Sequence, residues 1–138
     1  MHPALCQALL QEQVEVVNQS PVRSRLQQDI RREGTRALAV AQGSDRLLLF
    51  EFDGPNYDAE PLQLRLRDAS NGEELALESW PQGLGPGEHP VLHRPFTCLR
   101  GLYEYHCHPS HVTDAWDVHR FKYRLEDMLR ILLDKAGI

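Results

Sequence analysis

Ala37-Leu-Ala-Val-Ala41, Gln42-Gly-Ser-Asp45 and Leu47-Leu-Leu-Phe-Glu-Phe52 form the stretch on which the fold turns. Two apolar runs too short for helices flank a tight polar turn, the signature of a β-hairpin. Asp53-Gly-Pro-Asn56 turns the chain again. Beyond it Leu62, Leu64 and Leu66 alternate with Gln63, Arg65 and Arg67, the period of a half-buried strand. Asp68-Ala-Ser-Asn-Gly72 is a third turn, and residues 74–79, with Leu75 and Leu77 inward, are expected as the last strand. The prediction is a four-stranded antiparallel meander.

Helices are expected on either side. Cys6, Leu9, Leu10, Val14 and Val17 fall at helical spacing, which predicts a helix over residues 3–17 with Cys6 on its apolar face. Ser20-Pro21 is a helix-start signal. Val22, Leu26 and Ile30 repeat every four residues up to Gly34, so a second helix is expected over 20–33. At the far end Val118, Phe121, Leu125, Met128, Leu129, Leu132 and Leu133 form one stripe, with Asp114 or Asp117 as the cap and Gly137 as the stop. The fold class is therefore α+β: N-terminal helices, a four-stranded meander, an irregular segment and a C-terminal helix. Residues 81–95 hold four prolines and three glycines and are expected to be irregular.

At 138 residues, with 41% hydrophobic and 25% charged residues, the chain is expected to be one domain, 1–138. A net charge of −5 and the lack of a basic cluster with aromatics argue against a nucleic-acid partner. No apolar run approaches the roughly 20 residues that span a bilayer, so no membrane partner is expected. The first ten residues lack a signal-peptide pattern. With only three cysteines, this predicts free or metal-bound thiols in a reducing cytoplasm.

Six of the seven histidines and two of the three cysteines lie between His89 and His119. Thiol, imidazole and carboxylate are the groups that bind transition metals and that carry nucleophilic and acid–base chemistry. If residues 102–108 are extended, Glu104, His106 and His108 share one face, and Tyr103, Tyr105 and Cys107 the other. Cys98, Glu104, His106 and His111 then make a four-residue set, with His108 and Asp114 in reserve. His2 and His93 show no partner in the sequence, and Trp80 and Trp116 are expected to pack.

From His89-Pro90, eight residues before Cys98-Leu99, the chain resembles a ubiquitin-conjugating enzyme. That family has a helix, a four-stranded meander, a proline-rich passage ending in His-Pro-Asn, and a catalytic cysteine followed by leucine. A tryptophan and an amphipathic helix come next. The matching pieces here are residues 20–33, the strands of 37–79, Trp80-Pro81, His89-Pro90, Cys98-Leu99, Trp116 and the helix 118–133. Asn56-Tyr-Asp-Ala-Glu-Pro61 is similar to the family's tyrosine–proline turn. The resemblance covers roughly residues 20–136, which leaves 1–19 as a helical extension. Val91 stands where the family has its asparagine, and the family's later helices with their acidic residue are not matched. The 17 residues between Cys98 and Trp116 exceed the family's spacing.

The run Cys98 … Glu104-Tyr105-His106 … His111, followed by Trp116, also resembles a small bacterial family named for its Cys-Glu-His-His signature and described as metal-binding. Its members occur beside ubiquitin-like proteins and activating enzymes. Two expectations follow from these resemblances. In the first, Cys98 accepts a ubiquitin-like protein as a thioester from an activating-type enzyme and transfers it, with no cofactor. His106 and His111 supply acid–base groups there, and Glu104 orients one imidazole. In the second, zinc is held by Cys98, Glu104, His106 and His111, in a protein accessory to such a pathway.

Overall fold

The computed structural model describes residues 2–85 and 87–138; Met1 and Pro86 lie outside the described residues. Helix α1 (Pro3–Asn18) forms as the spacing predicts, with Cys6, Leu10, Val14 and Val17 buried. His2 starts it: its Nδ1 accepts from the Ala4 amide at 3.1 Å, and Pro3 takes the first helical position.

Residues 20–33 do not form the expected helix. A single 3-10 turn, Pro21–Arg25, is followed by extended chain and by strand β1 (Arg31–Glu33). Asn18 explains the change, because its side-chain amide takes both backbone groups of Ile30, at 2.8 and 2.9 Å. The Gln27 amide likewise donates to Val40 O at 2.9 Å. Val22, Leu26 and Ile30 are all buried, though from an extended path rather than from one helix face. Gly34 does adopt a left-handed φ of +62°, but it does so in the two-residue turn into β2.

Strands β2 (Arg36–Gln42), β3 (Leu47–Asp53) and β4 (Gln63–Asp68) follow, and the sheet runs β1-β2-β3-β4, antiparallel throughout. The sheet thus has four strands, but not the expected four. Residues 74–79 contribute one bridge, between Glu74 and Arg67, and a 3-10 turn (Leu77–Ser79); β1 supplies the fourth strand. Ala37, Ala39, Ala41, Phe50, Phe52, Leu64 and Leu66 line the core face of the sheet.

The irregular passage contains a two-residue hairpin, β5 (Gly87–Glu88) with β6 (Pro95–Phe96). After it come two single-turn helices, α2 (Tyr103–His106) and α3 (Trp116–His119), and then α4 (Leu125–Ala136). The expected long C-terminal helix is therefore split. Val118 and Phe121 are 70% and 72% exposed and do not belong to the buried stripe. The N-cap of α4 is Arg124, not Asp114 or Asp117, and its backbone amide donates to Asp127 Oδ2 at 3.1 Å. Its end at Gly137, φ +74°, is as expected.

Leu125, Leu129, Leu132 and Leu133 are fully buried, each contributing roughly 1.5–3 kcal/mol. Leu10, Val14 and Val17 of α1 join the same core cluster, so residues 1–19 contain a helix that packs within this core. Among the described residues no helix is long and apolar enough to cross a membrane.

Candidate active site

Residues 102–108 are helical at their start, not extended, and this rearranges the expected faces. Leu102 is fully buried and pairs with Leu62 just before β4, where the Tyr103 amide donates to Leu62 O at 2.8 Å. One turn of helix then sends Glu104 inward, to 1% exposure. Its Oε1 accepts from the Leu64 amide at 2.8 Å and from Arg94 at 2.9 Å, while Arg94 also donates to Leu64 O. Glu104 and Arg94 together satisfy the free edge of β4, a structural task. Burial pushes the Glu104 carboxyl up, against the pull of Arg94. Glu104 therefore orients no imidazole of the cluster.

Cys98 lies on the surface just after β6, and its Sγ sits 3.4 Å from Nε2 of His111. The 3-10 turn Pro109–His111 carries that imidazole, and the Nδ1 of His108 caps the turn by accepting from the Ser110 amide. The His111 ring stacks on Tyr105, with centroids 4.1 Å apart and planes 11° from parallel. Tyr105 in turn donates its hydroxyl to Asp114 Oδ2 at 2.6 Å.

Asp114 is the hub of the region. Its carboxylate also accepts from Arg100 Nε at 2.8 Å and pairs with His119 Nε2 at 2.5 Å. The hydrogen bonds from Tyr105, His119 and Arg100 hold the Asp114 carboxyl well below the usual range. Its backbone carbonyl accepts from His106 Nδ1 at 2.7 Å, and His106 Nε2 accepts from the Gly101 amide at 3.1 Å. With an amide donating to Nε2, the ring proton is on Nδ1, and both nitrogens are committed. Burial lowers the His106 pKa and keeps it neutral. Gly101, at φ +102°, is where the chain needs glycine: a Cβ there would meet Met128 Sδ and Tyr123 Cβ at 2.7 Å.

His89, fully buried, shapes the loop before the thiol. Its Nε2 donates to Glu104 O at 2.8 Å, and its Nδ1 accepts from the Val91 and Leu92 amides. Burial lowers its pKa. Cys107 lies 3.6 Å from His89 Nε2, and burial pushes its thiol up. Cys6 is buried in α1, as expected. Trp116 is buried too, donating to Asp58 O at 2.8 Å. His93 sits at the left-handed position of the 89–94 loop.

The structure thus brings together Cys98 and His111, with His108 beside them, and does not bring Glu104 or His106 to the sulfur. The zinc set does not fit: Glu104 is turned into the fold and His106 has no free nitrogen. Among the described residues no group of three or more His, Cys, Asp or Glu side chains is placed to hold a metal. Sequence reasoning missed the hub role of Asp114 and the parts played by Tyr105, Arg100 and His119. One signal was present, since Asp114 is the only carboxylate between Tyr105 and Trp116. A surface cavity lined by residues 42–46, 78–82 and 136–138 touches none of this.

The site is thus an exposed thiol against an imidazole on an α+β fold. The model of the Y4jH-like family (Y4jH family) matches residues 89–137, the part that carries this site and the closing helices. No curated protein matches the chain.

Proposed function

We propose that this protein is a conjugating enzyme with a ubiquitin-conjugating-type fold. It carries the C-terminus of a ubiquitin-like protein as a thioester on Cys98 and passes it to an amine or hydroxyl. The observation that carries the reading is the exposed Cys98 sulfur 3.4 Å from His111 Nε2. The order of elements supports it, with α1 in place of the expected helix over 20–33 and β1 in place of the strand over 74–79: helix, four-stranded meander, irregular passage, cysteine, helix. The partners are a ubiquitin-like protein and an activating-type enzyme, and the setting is a reducing cytoplasm that keeps the thiol free.

In the loading step His111 Nε2 takes the thiol proton and the Cys98 thiolate attacks the carbonyl carbon of the incoming thioester. The bond from that carbon to the donor sulfur breaks, and the departing thiolate recovers the proton from His111. In discharge the acceptor attacks the same carbon and gives its proton to Nε2. The bond to the Cys98 sulfur then breaks, and the proton returns to that sulfur. Imidazoles suit such work because they exchange protons near neutral pH. His106 is a brace for the Gly101 loop rather than a base, and Glu104 a brace for β4.

The test is incubation with a cognate activating enzyme, ATP and the ubiquitin-like protein. A reductant-sensitive adduct is expected on the wild type and none on Cys98→Ala, while Cys98→Ser gives a reductant-resistant oxyester. An adduct that survives Cys98→Ala, or no adduct on the wild type, overturns the reading.

A further inference from the structure

The Cys98/His111 contact is held from outside by groups that do not touch the sulfur. His111 is on a three-residue turn, and its ring lies nearly parallel to that of Tyr105, at 4.1 Å, with the His108 ring tilted against it at 5.6 Å. Tyr105 is itself fixed at its far end, where its hydroxyl meets Asp114 at 2.6 Å. The same carboxylate draws in Arg100, two residues past Cys98, at 2.8 Å. The backbone carbonyl of Asp114 fixes His106, whose other nitrogen takes the Gly101 amide. One residue therefore grips both sides of the contact: the loop that carries the thiol, and the ring that backs the imidazole.

We infer that Asp114 is the positioning residue of this site, holding His111 Nε2 on the Cys98 sulfur through the Tyr105 ring and anchoring the Cys98 loop through Arg100 and His106. It takes the orienting role that a carboxylate bonded directly to the imidazole plays in other thiol and serine sites, acting through a stacked phenol instead. The inference rests on the acyl-carrier reading only for the use of the pair; the geometry it concerns is that of the free protein.

Two variants separate the tether from the ring. Tyr105→Phe keeps the stacked ring and removes the hydroxyl that meets Asp114 and Arg100; Asp114→Asn weakens the whole hub. The probes are the His111 ring-proton NMR resonances and the rate at which iodoacetamide alkylates Cys98 at pH 7, mapped by mass spectrometry. In the wild type the facing Tyr105 ring is expected to shift the His111 protons upfield. Both variants are expected to lose much of that shift, and Cys98 alkylation to slow by about tenfold, within the roughly 100-fold that a 1 Å misplacement can cost. A purely structural role for Asp114 would lower the unfolding temperature but leave the His111 resonances of the folded protein in place. Should Asp114→Asn not fold, Tyr105→Phe alone decides. Unchanged His111 shifts and alkylation within twofold of wild type overturn the inference. Failure of thioester loading with these two results as expected would remove the conjugating reading and leave this one standing.

Discussion

Two thiol–imidazole pairs lie side by side in this protein, and they have opposite characters. Cys98 and His111 meet at 3.4 Å on the surface; half-buried Cys107 and fully buried His89 meet at 3.6 Å. By distance alone the two are equivalent. His89 is saturated, however, with one nitrogen donating to Glu104 O and the other accepting from two amides, and it is fully buried. Burial also disfavours the thiolate of Cys107. Proximity of sulfur to imidazole therefore does not make a reactive site. A free ring nitrogen and access for a substrate do.

The sharpest way to break this comparison is to exchange the two thiols. Cys98→Ala is expected to abolish thioester loading, whereas Cys107→Ser leaves it within about twofold, since packing rather than chemistry uses that sulfur. Equal loss in both variants, seen on non-reducing gels, would erase the distinction.

The histidines reverse the order when stability is measured. His89→Ala leaves the Val91 and Leu92 amides without the ring and the buried Glu104 carbonyl with only the weak Cys107 thiol contact, and is expected to cost about 2–5 kcal/mol in urea unfolding. His111→Ala, at a half-buried surface turn, should cost about 0.5 kcal/mol or less. Similar costs would mean that His89 is not the structural member.

Acidity sharpens the contrast further. His89 and His106 are held neutral in the fold, their pKa values depressed below the ordinary 6.5. The unfolded chain therefore binds more protons as pH falls below that value, and the stability these rings contribute above it is lost on the way down through their folded values. Glu104, pushed up by burial, acts with the opposite sign. Urea midpoints should fall between pH 7 and pH 5.5, and His106→Gln should flatten that fall. A flat profile in the wild type would contradict the assignment of both rings as neutral.

The smallest effect concerns metal. With Glu104 and His106 committed elsewhere, elemental analysis of protein purified without chelator should find well under one equivalent of zinc, and chelator should leave the unfolding temperature unchanged. Stoichiometric zinc would show that Cys98 and His111 recruit donors in another arrangement.

Periodicity announced much of the fold because burial enforces it. The face of α1, the alternation in β4 and the leucines of α4 must be apolar at those intervals for any helix or strand to join the core. Those signals failed where a particular side chain overrode them. Asn18 diverts residues 27–30 from a helix to an extended path leading into β1, and Leu102 docking beside Leu62 turns Glu104 inward. Phe121 matches the stripe in spacing yet is exposed, because the helix breaks before Arg124 restarts it.

The sequence by itself determined the α+β class, the apolar faces and the density of reactive groups between His89 and His119, since all of these are properties of local pattern and composition. Only the tertiary structure decided which imidazole meets which thiol. That choice depends on hydrogen-bond partners that no repeat period marks, distant β4 for Glu104 and nearby Asp114 for Tyr105 and His106, and spacing along the chain carries no record of them.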